Sequence, residues 1–180
     1  MRPKILLLQP TVGEWDDMRT APALPLALIH AATLAAEEYD VEIFDRRLHP
    51  NGWEKALEAR IDERLFLVGA TAFTGPMLSS SLDMCRVVRN RRPDVPIVWG
   101  GIHASLLPQE TAESPWADYV IQGEGEVPLR ALARCLDEGI EPEGVPGVWY
   151  KRDGEVVGTP PGPMIKLDDM PDPPWHLVDV

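Results

Sequence analysis

Residues 67–101 read LVGATAFTGPMLSSSLDMCRVVRNRRPDVPIVWGG, and this stretch decides the fold. Leu67–Thr71 is a short apolar run that suits a buried strand, and Gly75-Pro76 breaks the chain after it. Leu78, Leu82, Cys85 and Val88 then recur at helical spacing, and the helix they mark ends before Pro93. Ile97–Trp99 is a second apolar run, closed by Gly100-Gly101. Strand, helix and strand of these lengths form a βαβ unit, which places its two strands in parallel with a right-handed crossover.

The same alternation extends in both directions. Upstream, Lys4–Gln9 reads as the first strand. The N-terminal apolar run is too short for a signal peptide and is stopped by Gln9 and Pro10, and no small-residue cleavage site follows. A loop over 10–23 leads to a helix carrying Leu24, Leu28, Ala31 and Ala35, which runs to about Glu38. Val41–Asp45 is the second strand, and Trp53, Leu57, Ile61 and Leu65 mark a second helix. Downstream of the quoted stretch come a short helix around Gln109–Glu113, a fifth strand at Tyr119–Gln122 and a helix over Val127–Leu136. Five βα repeats predict an α/β, flavodoxin-like (Rossmann-like) parallel sheet in strand order 2-1-3-4-5, with helices on both faces. In such sheets ligands bind outside the carboxyl ends of the strands. Beyond residue 140 the character changes. Val148–Lys151 and Glu155–Thr159 flank Asp153-Gly154, a hairpin signal, and the Pro-rich stretch Thr159–Pro174 reads as an extended linker. The expected division is a Rossmann-like ligand-binding domain over 1–140 and a β-hairpin and linker over 141–180.

Composition narrows the function. The 180 residues carry a formal net charge of −12, the wrong sign for a surface that binds nucleic acid. The one basic cluster, Arg86–Arg92, lies on one predicted helix and reads as a solvated face. No apolar run approaches the roughly 20 residues that span a bilayer, so a cytoplasmic protein without a membrane partner is expected. The two cysteines, Cys85 and Cys135, form no metal motif and are expected as buried small hydrophobes.

The loops at the strand ends carry the remaining signal. Gln9-Pro10-Thr11-Val12-Gly13 lacks the Gly-x-Gly-x-x-Gly that cradles a pyrophosphate, and no Walker-type loop occurs. Asp45 ends the second strand, where a capping or turn role suits it. Thr71 and Thr74 present hydroxyls at the carboxyl edge; Thr74 also suits a helix N-cap. Gly100-Gly101 permits either a tight turn or close approach of a flat ligand. Gly123-Glu124-Gly125-Glu126 opens the last helix with acids, which its dipole favours but which would repel a phosphate. A receiver domain is disfavoured because the third strand ends in Thr71 rather than Asp, and the fifth leads to Gln122-Gly123 rather than Lys.

Together these pieces resemble a family. The interval of 26 residues between Phe73 and Gly100 is similar to that between the Ser-x-Leu and Gly-Gly elements of cobalamin-binding domains. Val98–Ser105, Ala117–Glu126 and Asp169–Asp179 resemble the N-terminal half of cobalamin-dependent radical SAM enzymes. The resemblance implies cobalamin across the carboxyl ends of the strands, with its tail detached from cobalt and inserted beside the sheet. It implies a cofactor site made of Thr11, Thr71, Phe73, Thr74, Gly75, Gly100, Gly101, His103, Ala104, Gly123, Glu124 and Gly125, around a slot that Gly69, Ala70 and Ala72 also suit. The Asp-x-His-x-x-Gly element of other cobalamin domains has no counterpart near Ala23–Ile29, so no His ligand to cobalt is expected. His30 is placed by its helical phase as a surface or packing residue, His49 and His176 are expected away from cobalt, and the Glu14–Arg19 loop is expected under the corrin. The four-iron cluster motif Cys-x-x-x-Cys-x-x-Cys is missing. A 4Fe-4S cluster and S-adenosylmethionine are therefore expected in a further C-terminal radical SAM domain, with methyl transfer as the chemistry of the parent enzyme and no catalytic residue in this chain. Without that domain the chain is expected to expose an apolar face and to self-associate. A flavin- or nucleotide-binding module and a stand-alone cobalamin carrier are the alternatives. Of the six tryptophans, Trp15 and Trp99 are placed either against a corrin or in packing, with packing preferred, and Trp175 is placed as an anchor of the linker or against a neighbouring domain.

Overall fold

The computed structural model describes residues 2–18 and 21–178. In chain order the elements are β1 (Lys4–Gln9), α1 (Glu14–Asp17), α2 (Leu26–Ala35), β2 (Asp40–Asp45), α3 (Trp53–Glu58), β3 (Leu65–Thr71), α4 (Pro76–Arg91), β4 (Ile97–Gly100), α5 (Gly101–Leu106), α6 (Pro108–Glu113), β5 (Tyr119–Ile121), α7 (Glu126–Asp137), β6 (Val148–Arg152) and β7 (Glu155–Gly158). One sheet of seven strands holds them in the order β2-β1-β3-β4-β5-β6-β7. The first five strands are parallel, and β6 and β7 add antiparallel at one edge. The expected order 2-1-3-4-5 is thus present within a longer, mixed sheet. The hairpin turns at Asp153 and Gly154, both in the left-handed region, as the Asp-Gly signal requires. Pairing of β5 with β6 carries the sheet across residue 140.

The central strands are buried on both faces, which explains their continuous apolar runs. Alternate residues feed two clusters. On one side Leu6, Leu8, Val68, Ala70, Ile97 and Trp99 pack with Met84, Cys85 and Val88 of α4. On the other Ile5, Leu7, Leu67, Val98 and Ile121 pack with Leu28 and Ala32 of α2 and Leu129 and Leu132 of α7. The α2 and α7 helices lie side by side and are tied at their far ends by Arg134, which donates to both carboxylate oxygens of Glu38.

Several expectations are corrected. The second helix stops at Glu58, and Leu65 belongs to β3. Between them the Asp62 carboxylate accepts the Arg64 N–H at 2.9 Å, a local turn that competes with further helix. The first long helix begins at Leu26, leaving Leu24 outside it, because Pro25 restricts the residue before it. The segment after β4 is a pair of short helices, α5 and α6, and the helical turn starts directly at Gly101. Cys85 is buried, but Cys135 is only half-buried. The basic cluster keeps its solvated face, with Arg86 and Arg91 exposed, and three of its arginines are paired: Arg86 with Asp83, Arg89 with Asp118 and Arg92 with Asp94. Among the described residues, no helix is long and apolar enough to cross a membrane.

Candidate functional site

At the carboxyl ends of the parallel strands, α2 and α7 part from the sheet and leave a cleft of about 310 Å³. Its floor is the sheet: Leu7 from β1, Gly69, Ala70 and Thr71 from β3, Val98 and Gly100 from β4, and Ile121 from β5. Leu26, Ala27, Leu28, His30 and Ala31 of α2 and Leu129 of α7 form its helical wall over the sheet. Gly101 and the turn Gly123, Glu124, Gly125, Glu126 close the rim. Apart from Thr71, His30 and the two rim glutamates, the side chains lining it are apolar or absent. Such a slot accepts a flat apolar group and offers few polar anchors.

Small residues create the space, and they act in different ways. A Cβ on Gly69 would lie 2.5 Å from Leu7 Cδ2, so this glycine makes room for the Leu7 side chain at the cleft floor. A Cβ on Gly125 would lie 3.1 Å from the Ala31 Cβ, which places the start of α7 close against α2. The adjacent pair Gly100-Gly101 divides its work. A Cβ on Gly100 would meet nothing within 4 Å. Strand alternation turns it to the same face as Val98, into the cleft. Gly101 has φ +85°, and its Cβ would run into Thr71 Oγ1 and the Ala72 backbone. Gly101 therefore serves the contact between the β3 and β4 loops, where only glycine fits both the dihedral and the space. The loops are also joined by the His103 N–H donating to the Ala72 carbonyl.

The expected site residues separate into two groups. Thr71, Gly100, Gly101, Gly123, Glu124 and Gly125 line the cleft, together with Gly69 and Ala70. Thr11, Phe73, Thr74, Gly75, His103 and Ala104 do not line it. The Thr11 N–H donates to Ser80 Oγ at 3.0 Å, and the two hydroxyls are 2.9 Å apart. Phe73 is half-exposed above the strand ends. Thr74 is not an N-cap: Gly75 holds that position without a side-chain bond, and Thr74 Oγ1 lies 2.9 Å from His103 Nδ1. Ala104 is fully buried in the core and presents no surface. Thr71 is 7% exposed, and its carbonyl accepts from Ser81 Oγ.

Of the histidines, His30 stands on the cleft wall, a position its helix phase did not suggest. His49 stacks on Phe44 at a centroid distance of 5.1 Å, and His176 lies near Tyr39 and Arg64 at the opposite edge. Asp45 caps the turn after β2, accepting the Arg47 N–H at 3.0 Å and pairing with its guanidinium. Trp99 is buried on the far face of the sheet, donating to the Trp116 carbonyl at 2.9 Å, so it packs rather than facing the cleft. The side chain of Trp15, together with Arg19 and Asp179, lies outside the described residues. Sequence reasoning missed the α2 wall. Its signal was available in Ala27 and Ala31, two small residues one turn apart facing the glycine-rich rim. Among the described residues no cluster of His, Cys, Asp or Glu could hold a metal ion.

Residues 20–133 match the family model of the B12 binding domain. An uncharacterized methyltransferase of Pyrococcus horikoshii is 32% identical over 178 residues, covering 97% of this chain and 38% of that protein. An anaerobic magnesium-protoporphyrin IX monomethyl ester cyclase of Rubrivivax gelatinosus is 34% identical over 118 residues, covering 63% of this chain and 21% of the cyclase. The solved structure of the radical S-adenosylmethionine methyltransferase TsrM from Kitasatospora setae, with cobalamin and a 4Fe-4S cluster bound, superposes with a TM-score of 0.73 at 26% identity. It covers 96% of this chain and 31% of that one. The chain spans less than two-fifths of the length of each of these three proteins.

Proposed function

This chain belongs to the B12-binding domain family, and we propose that its cleft takes the nucleotide tail of cobalamin while the corrin lies across the carboxyl edge of the sheet. The observation that carries the reading is the cleft itself: an apolar slot at the strand ends, opened by glycine and alanine on β3, β4 and α2 and by the glycines of the rim. The residues fit the group. A flat benzimidazole needs apolar walls and no Cβ in its path, and Gly100 supplies that at the floor. Leu28, Val98, Ile121 and Leu129 exclude water from it, which favours the apolar ring by roughly 25 cal/mol per Å² buried.

Thr71 would anchor the tail with its hydroxyl, and Gly123 and Gly125 would let the rim backbone approach. His103 and Phe73, above the strand ends and outside the slot, would meet the corrin edge. A tail held in the slot by these residues would be kept away from cobalt, and no histidine of this chain is proposed to hold the metal. When bound, cobalamin supplies a cobalt centre that can carry a methyl group. In the whole protein this domain serves a radical SAM enzyme whose cluster and S-adenosylmethionine are held by a further domain, and methyl transfer is the favoured chemistry. Two of the three relatives described above are named as methyltransferases, which supports that choice over the cyclase type of reaction.

Titration of the purified chain with hydroxocobalamin, followed by desalting and visible spectroscopy, tests the reading. About one equivalent retained is expected, and cobinamide, which lacks the nucleotide tail, is expected to wash off. Loss of both ligands on desalting contradicts it.

A further inference from the structure

The cleft rim is built from two turns on different strands, and one hydroxyl joins them. Ser105, in the last turn of α5, accepts the Gly123 N–H at 3.0 Å and donates to the Gly101 carbonyl at 2.8 Å. The Ser105 carbonyl in turn accepts from Gln122 Nε2 at 3.3 Å. Gln122 is fixed at its other end, where Oε1 accepts from Trp149 Nε1 at 3.0 Å, and its N–H donates to the Gly147 carbonyl at 2.8 Å. The chain of bonds runs from the β4 rim, through Ser105 and Gln122, to the hairpin at the sheet edge. Neither Ser105 nor Gln122 lines the cleft.

A serine in a helix commonly bonds the carbonyl four residues back, and the bond to Gly101 alone would be that local feature. The bond from Gly123 is different, because it crosses to another strand and takes up a backbone N–H at the rim. Glycines at 101 and 123 have φ of +85° and +86°, so both turns rely on outside contacts to hold one conformation. We propose that Ser105, held by Gln122, is a positioning residue that fixes the separation of the Gly101 and Gly123 turns and so the width of the slot for the cobalamin tail. The proposal rests on the reading of the cleft as the tail site.

Its test compares cobalamin with cobinamide on the full chain and on S105A, S105T and S105V. S105A is expected to bind cobalamin about five- to tenfold more weakly, the weight of one net hydrogen bond. Its affinity for cobinamide is expected to be unchanged, because that ligand has no tail to seat. Threonine keeps the hydroxyl and valine matches its shape, so S105T is expected within about twofold of the parent and S105V to follow alanine. The threonine–valine comparison stands even if alanine disturbs folding. Unchanged cobalamin affinity in S105V, or an equal loss for both ligands, overturns the positioning role. Equal binding of cobalamin and cobinamide by the parent chain overturns the tail-slot reading and the proposal with it, and is told apart because it appears before any substitution is made.

Discussion

Substituting the two adjacent glycines of β4 and α5 separates binding from folding. In Gly100→Leu the new side chain starts from backbone at φ −138° and a Cβ with nothing within 4 Å. The fold therefore resists it little, and an interior strand residue in place of glycine gains about 0.5–1 kcal/mol of backbone entropy. The branch points with Val98 into a cleft of about 310 Å³ and occupies the floor where the tail would lie. Forcing a ligand past it costs about 1–3 kcal/mol, the usual range for overpacking, or about five- to 150-fold in Kd. Gly101→Ala behaves oppositely. At φ +85° its Cβ strikes Thr71 Oγ1 and the Ala72 backbone. A left-handed alanine costs about 1–2 kcal/mol, and the contact adds about 1–3 kcal/mol. At roughly 2–4 °C per kcal/mol for a chain of this size, the melting temperature falls by about 4–20 °C. Differential scanning calorimetry and cobalamin titration on both variants measure the two quantities. A Gly100→Leu chain that binds cobalamin like the parent would refute the placement of the tail, and a Gly101→Ala chain that melts like the parent would refute the loop contact.

Further outcomes follow from the same geometry. Gly69→Ala pushes a Cβ to 2.5 Å from Leu7 Cδ2 and is expected to destabilise by about 1–3 kcal/mol in chemical denaturation. Trp99→Phe removes the indole donor to the Trp116 carbonyl; about 1 kcal/mol is lost, while cobalamin retention is unchanged because Trp99 faces away from the cleft. Burial pushes the Cys85 thiol up to about 12, so it stays protonated and unreactive toward thiol reagents at pH 8 until denaturant is added. As a thiol raised in the fold, it also makes stability fall as pH climbs from about 9 toward 12. The hydrogen bond from Arg134 holds the Glu38 carboxyl below its usual range. The contribution of this link between α2 and α7 is present above the ordinary glutamate value and lost as pH falls through the folded one. Glu38→Gln is expected to flatten that acid slope in thermal melts.

The parallel core was legible because its strands are buried on both sides and carry unbroken apolar runs, as in Leu65–Thr71. The glycine rim was legible because Gly100-Gly101 and Gly123–Gly125 sit where strands end. What escaped is set by tertiary contacts. Gly100 and Gly101 look alike in sequence, yet one faces open space and the other faces Thr71, and only the register of β3 against β4 distinguishes them. The start of α5 was hidden because glycine and histidine give no helix signal, and the turn is fixed by the His103 N–H reaching Ala72. His30 was assigned to surface or packing from helix phase alone. Its place on the cleft wall depends on how α2 rotates against the sheet. Thr74 had the identity of a cap, but its partner is His103, 29 residues away.

The most direct test of a tail seated in the cleft, away from cobalt, is the electron paramagnetic resonance spectrum of the chain loaded with cob(II)alamin. Cobalt hyperfine lines without nitrogen splitting are expected, since neither the tail nor a histidine would coordinate the metal. A threefold splitting of those lines, the signature of one axial nitrogen, would contradict the account.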